Sequence, residues 1–144
     1  MREHGDEVTR FDRNEPTLST NLPNDPRDTT TPRAMAALMN AILRRDGKAA
    51  PLARGNRDRL LDWLTDCETG RERLRAGLPP QWLAADKTGT GERSAVNDIA
   101  ILKPPRRPPI MVAAFLGESG KTPAELNPAP AAIAREIVSW VAAR

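Results

Sequence analysis

Three apolar runs follow one another between residues 82 and 116 with only turns to join them: "WLAADKT", "SAVNDIAIL" and "PIMVAAFL". Each has strand length and strand-like composition. Gly91 and its neighbours fit a turn between the first two, and "KPPRRPP" separates the second from the third. Consecutive strands joined in this way make an antiparallel sheet, which needs helices against it. Helical signals lie on both sides. Thr31-Pro32 reads as an N-cap with proline at the first helical position. Met35, Leu38, Met39 and Ile42 then form one apolar stripe, which Gly47 stops. Leu60, Leu61 and Leu64 mark a second helix with Trp63 flanking its stripe, and "RERLRAG" suggests a short third one. The last helix carries a capping box from Thr122 to Glu125 and a stripe of Ile133, Ile137, Trp140 and Val141. Pro128 and Pro130 predict a bend or break before a restart near Pro130, because proline removes helical hydrogen bonds. The predicted fold class is α/β, in the form of an α+β sandwich: a three-stranded antiparallel sheet with helices packed on it.

Composition narrows the function classes. The chain has 144 residues, the size of one modest domain, with 22 basic against 19 acidic side chains. The resulting net charge of +3 is too weak a bias to argue for nucleic acid or an anionic membrane. Aromatic residues are too scarce for a base-stacking platform. One cysteine, Cys67, and one histidine, His4, argue against a zinc site. The N-terminus "MREHGDEVTR" lacks an apolar h-region, and no apolar run approaches a membrane span. Two nucleotide-binding lookalikes fail. "FLGESGKT" places Phe115 where a P-loop needs glycine, and "GTGERS" precedes a strand rather than a helix. No cofactor, metal, nucleic acid or membrane partner is expected.

Residues 10–32, "RFDRNEPTLSTNLPNDPRDTTTP", hold four prolines and show little apolar periodicity, so they read as one long loop. Loops of this length in a compact domain are usually functional. "ADKTGTG", from Ala85, places an ammonium, a hydroxyl and a bare backbone at the end of a strand. That suits a carboxylate-bearing ligand lying against the strand. Alone, the tripeptide Lys87-Thr88-Gly89 reads better as a solvated strand end.

Together the two segments are specific. The loop resembles the omega loop of class A serine β-lactamases, with its R-x-D-R-x-E-x-x-L-N run and its D-x-R-D-T-T-x-P close. "ADKTGTG" and "NDIAIL" resemble the third and fourth sheet strands of that family, whose K-T-G element belongs with S-x-x-K and S-D-N. The resemblance implies a role for each matching residue. Glu15 matches the glutamate that activates the deacylating water, which a well-placed loop carboxylate can do by accepting a proton. Pro16 follows it, and family members usually hold this bond cis. Ser19 stands where an asparagine co-holds the water, with a shorter reach. Arg13 and Asp28 match the pair that staples the loop ends together. Lys87 and Thr88 match the substrate-carboxylate and proton-network residues, with Gly89 beside them. The backbone N–H of Thr90 matches one oxyanion-hole donor, and its hydroxyl lies beside the substrate carboxylate. Val96 occupies a position where many members carry a carboxylate-supporting arginine, and Arg73 falls where some supply it from the helix side. Cys67 replaces a common asparagine and is read as small packing.

The sequence contains no S-x-x-K and no S-D-N. It resembles roughly the C-terminal half of the family's fold: one partial domain over 1–144, with the omega loop at 10–32, a helical segment at 32–77, strands at 81–116 and a terminal helix at 122–143. Such a half is expected to leave the inner side of its sheet and the Met35–Ile42 stripe short of partner surface. Without the nucleophile no acyl-enzyme forms. Three readings follow: a β-lactamase represented by an incomplete chain or half of a split enzyme that needs an N-terminal partner, a non-hydrolytic binding module, or a penicillin-binding transpeptidase. The loop glutamate argues against the third. By family the setting is periplasmic or secreted and the substrates are β-lactam antibiotics, although no signal peptide is visible.

Overall fold

The computed structural model describes residues 1–43 and 51–144. The expected stop at Gly47 lies outside the described residues. Strands β1 (Leu83–Thr90), β2 (Val96–Lys103) and β3 (Ile110–Leu116) form one antiparallel sheet in the order β1-β2-β3. The register sets Leu83 against Lys103, Thr90 against Val96, and Val96 against Leu116. Because successive side chains point to opposite faces, this register sorts the apolar residues into two cores. Ala100, Leu102, Val112 and Ala114 meet Leu74 and Ala134 on one face. Ala85 and Ile101 meet Met39 on the other, ringed by Met35, Leu61 and Leu64. Helices α1 (Pro32–Leu43) and α2 (Arg54–Thr65) therefore cover one face, and α4 (Pro128–Ala142) covers the opposite one. The α+β arrangement of the sequence reading is present. No helix among the described residues is long and apolar enough to cross a membrane.

Local signals account for most boundaries. Thr31 caps α1, its hydroxyl accepting the Ala34 N–H at 3.2 Å. β1 runs two residues beyond the expected "WLAADKT". β2 starts at Val96 rather than Ser94, because Arg93 and Ser94 take φ of 53° and 62° in a turn closed by the Gly91 N–H on the Ala95 carbonyl at 3.0 Å.

Three expectations need correction. "RERLRAG" forms only a 3-10 turn, Leu74–Gly77. Asp98 captures the Leu74 N–H at 3.0 Å, and Pro79 and Pro80, which lack N–H groups, follow immediately, so a regular helix cannot extend. The terminal helix, by contrast, breaks as its prolines predict. The capping box is present, but it caps the one-turn α3 (Pro123–Leu126), and α4 restarts at Pro128, two residues before Pro130. The buried seam of α4 is also narrower than its apolar stripe. Ala131, Ala134 and Val141 are buried, whereas Ile133 and Trp140 are 41% and 55% exposed. The seam uses alanine because the Gly77 turn approaches the α4 backbone too closely for a larger side chain. The Met35–Ile42 stripe is better covered than expected: Leu38 and Met39 are buried, Met39 against Ala85 and Ile101 of the sheet. A cavity of about 210 Å³ remains beside it, lined by Met35, Ile42, Leu60, Leu64, Lys87 and Ile99.

Candidate active site

The loop of residues 10–32 has few apolar anchors, so polar contacts must hold it. Its two ends are joined at Asp28. One carboxylate oxygen accepts the Asp12 and Arg13 N–H groups at 2.7 and 3.0 Å, and the other accepts Arg13 Nε at 2.6 Å. The Asp28 N–H returns a bond to the Asp12 carboxylate at 3.1 Å, and the Arg10 N–H reaches the Thr29 carbonyl at 2.9 Å. Arg13 also bonds Thr20 at 2.9 Å, fixing the 3-10 turn Thr17–Thr20 that follows a cis Glu15–Pro16 bond. The Ser19 carbonyl accepts the Glu92 N–H at 3.0 Å, which docks the loop on the β1–β2 turn. Gly91 suits this close approach, because a Cβ on it would sit a tight 3.0 Å from that same carbonyl oxygen.

Burial opposes ionisation of Asp28 most strongly, but the Asp12 N–H, the Arg13 guanidinium and the Arg13 N–H together hold its carboxyl below the ordinary 3.8. A depressed carboxyl contributes stability above its unfolded value and loses it as pH falls through the folded one. The staple is thus intact at neutral pH and weakens as pH falls through that lowered value. Replacing Arg13 with alanine is expected to speed proteolytic cleavage within residues 10–32 about tenfold at neutral pH, while sheet melting barely moves. An unchanged cleavage rate would show that the loop is held by other contacts.

The docked loop and the free edge of β1 enclose a cavity of about 520 Å³. Glu15, Ser19, Lys87, Thr88, Gly89 and Thr90 all line it, with Arg13 and Asp28 on the loop side. Lys87 is exposed, its ammonium 2.6 Å from the Thr88 carbonyl oxygen. Arg73 is not on this lining. It is buried behind the strands, with Nη1 donating to the Gly89 and Asn97 carbonyls at 2.9 and 2.6 Å and Nη2 to the Thr90 hydroxyl at 2.6 Å. Its Nε donates to Asn127 at 3.0 Å. Arg73 therefore reaches the cavity only through the residues that line it, Gly89, Thr90 and Asn97, a narrower placement than direct contact with a ligand. Val96, opposite Thr90 across the strand pair, is fully buried.

The sequence reading missed three residues. Thr69 lines the cavity and sits 2.5 Å from the Thr88 hydroxyl, with Cys67 Sγ 3.3 Å away on its other side. Cys67 thus ends a hydrogen-bonded row as well as filling space. Asp86 and Asp98 are fully buried, and the parity of the strands could have found them: each is an acid at an inward-facing position of an apolar run. Asp86 pairs with Arg75, which also binds the Leu64 and Thr65 carbonyls at 2.9 and 2.8 Å and so ties the end of α2 to β1. Gly70 is obligatory beside this pair, because a Cβ there would lie 1.8 Å from an Asp86 carboxylate oxygen.

A β-sheet edge bearing Lys-Thr-Gly, closed over by a stapled loop that carries a glutamate, is the half-site that the sequence resemblance implies. Comparison with known proteins identifies the family. The chain matches the Beta-lactamase enzyme family over residues 1–141. It is 48% identical over 115 residues to Beta-lactamase CTX-M-97 of Escherichia coli, covering 79% of this chain and 38% of that protein. It is 43% identical over 112 residues to Beta-lactamase 1 of Streptomyces cacaoi, covering 78% of this chain and 34% of that protein. The solved class A β-lactamase of the last common ancestor of Gram-negative bacteria superposes with a TM-score of 0.90 at 48% identity, covering 97% of this chain and 52% of that one. The chain belongs to the β-lactamase enzyme family, class A, and spans about half or less of the length of the relatives it matches.

Proposed function

We propose that these residues form the deacylating and carboxylate-binding half of a class A serine β-lactamase site. The observation that supports this reading is the single cavity shared by Glu15 and Ser19 of the loop and Lys87, Thr88, Gly89 and Thr90 of the strand. In the reaction, the Lys87 ammonium and the Thr88 and Thr90 hydroxyls bind the carboxylate of the β-lactam. Arg73, held behind Thr90, orients that hydroxyl and adds positive charge in a buried setting. The Thr90 N–H donates to the oxyanion that forms as the amide carbonyl is attacked. Glu15 takes a proton from the water that hydrolyses the acyl-enzyme, and Ser19 co-holds that water. Arg13 and Asp28 keep the loop where Glu15 can act. The acylated serine, its lysine and the S-D-N serine come from outside these 144 residues, because neither motif occurs within them. The substrate class is β-lactams, and the setting is the periplasm or the extracellular space.

The chain alone is expected not to turn over a chromogenic cephalosporin. Supplying the N-terminal half of a class A enzyme, in trans or fused ahead of it, is expected to restore hydrolysis that falls strongly on Lys87→Ala and on Glu15→Ala. A soluble, cooperatively folded chain that gains no activity from such halves would overturn the reading in favour of a carboxylate-binding module. Turnover by the chain alone, abolished by Glu15→Gln, would show that the missing nucleophile is not needed.

A further inference from the structure

Asp86 and Asp98 are both fully buried within the sheet. The register sets Asp86 opposite Ala100 and Asp98 opposite Thr88, so the two carboxylates project from the same face of adjacent strands, one step apart diagonally. Asp86 is ion-paired with Arg75 through one oxygen, and its other oxygen has no partner among the described residues. Asp98 accepts the Leu74 N–H with Oδ2 at 3.0 Å, and its Oδ1 has no partner either. An orphaned oxygen on a buried carboxylate is costly when charged and far less so when protonated.

The charged groups facing Asp98 come from two other elements. Asp86 of β1 repels it, while Arg73 and Arg75, beside and within the 3-10 turn, attract it. β3 sets the uncharged Ala114 opposite it. Burial outweighs these and, with the Asp86 charge adding to it against the Leu74 N–H and the two arginines, pushes the Asp98 carboxyl up to about 7.

Arg73 completes the arrangement. Its hydrogen bonds go to the Asn127, Gly89, Asn97 and Thr90 oxygens, all of them neutral. Among the described residues no carboxylate lies within ion-pair distance of it. Its countercharge is therefore held at longer range, by Asp98 from within the fold or by an anion in the cavity beyond Thr90.

We propose that Asp98 takes up a proton when an anion occupies the Lys87–Thr88–Thr90 edge, so that ligand occupancy and the charge of this buried carboxyl are coupled. The inference rests on the carboxylate-binding reading of that edge. Its physical basis is that two negative charges compete for one cationic field, and Thr88 is the cross-strand neighbour of Asp98. Coupling of this kind is reciprocal. Protonated Asp98 favours the anion, so affinity is highest below the Asp98 midpoint and declines as pH rises through it. It levels off once Asp98 is ionised in both free and bound chain. A midpoint raised by about one pH unit on binding corresponds to an affinity about tenfold weaker on the alkaline side.

The test is a pH titration of the aspartate side-chain carboxyl carbons by NMR on the wild-type chain, with and without saturating benzylpenicillin. Asp98 is expected to titrate near neutrality in the free chain and about one pH unit higher with ligand. Asp98→Asn, which keeps an acceptor for the Leu74 N–H, is expected to make benzylpenicillin affinity independent of pH between about 6 and 8. If the Thr88–Thr90 amides shift on binding while the Asp98 midpoint does not, the coupling is overturned and the carboxylate reading stands. An Asp98 midpoint in the ordinary carboxylate range overturns it equally. If benzylpenicillin shifts no β1 amide, the carboxylate reading itself fails and the coupling fails with it.

Discussion

Replacing Gly77 with alanine is expected to destabilise the chain by about 3 kcal/mol or more, enough to abolish cooperative unfolding in a domain of this size. A Cβ on Gly77 would lie 2.1 Å from the Ala131 carbonyl oxygen and 2.7 Å from the Ala134 Cβ. Both belong to the buried seam of α4, and the nearer one is main chain, so no side-chain rotation relieves the clash. Relief requires α4 to move off the sheet, which would uncover Leu74, Leu102 and Ala114. The alternative is for the Leu74–Gly77 turn to move. That would break the Leu74 N–H bond to Asp98 and the Arg75 pair with Asp86. Either route opens the layer that holds Arg73 against Thr90. Two other glycines serve as controls, since nothing lies within 4 Å of a Cβ on Gly55 or Gly120. Gly55→Ala, within α2, is expected to stabilise by up to about 1 kcal/mol, and Gly120→Ala to stay within about 0.5 kcal/mol. Urea unfolding followed by tryptophan fluorescence measures all three. A Gly77→Ala midpoint equal to wild type would mean that α4 is not packed as closely as described.

The same turn marks where the sequence could and could not be read. The strands were legible because their apolar residues alternate against two cores, and each joining turn carries its own Gly or Pro signal. The loop was legible because its spacing of Arg13, Glu15 and Asp28 is distinctive and the chain folds it with the charges paired. Helical stripes were less reliable guides. Ile133 and Trp140 share the helical period of Ile137 and Val141, yet the close approach of Gly77 selects an alanine face. That selection is a tertiary effect, made by a residue more than fifty positions away. "RERLRAG" has helical composition, but Asp98 of a later strand captures the N–H of Leu74 in its middle, and only one 3-10 turn follows. Arg73 was identifiable as a useful cation. Its burial behind Thr90, bonded to two strand carbonyls, depends on where β1 and β2 pair and is absent from its local sequence. Thr69 carries no local signal at all, since a threonine before a glycine is common.

Glu15→Gln is expected to separate the two halves of the proposed reaction. In an enzyme reconstituted from this chain and an N-terminal half of the family, the variant should lower steady-state β-lactam turnover by about 10²- to 10⁴-fold, the usual contribution of a positioned general base. Glutamine keeps the size of the side chain and its hydrogen bonding but cannot accept the proton of the attacking water. The carboxylate-binding groups, Lys87, Thr88 and Thr90, are untouched, and so is the serine supplied by the partner. Acylation should therefore persist and the covalent adduct should accumulate, giving a burst of about one equivalent followed by a slow phase. Mass spectrometry of the intact complex should find the adduct on the N-terminal partner and not on this chain. Lys87→Ala makes the opposite case. It removes a cation that meets the substrate before any bond changes, so KM should rise and no adduct should build up. Ser19→Asn tests the water directly. If the serine only partly holds it, the longer amide should speed the slow phase, because asparagine reaches further and can both donate and accept. A Glu15→Gln enzyme whose turnover falls less than about tenfold, or falls without any trapped adduct, would remove Glu15 from the deacylation role.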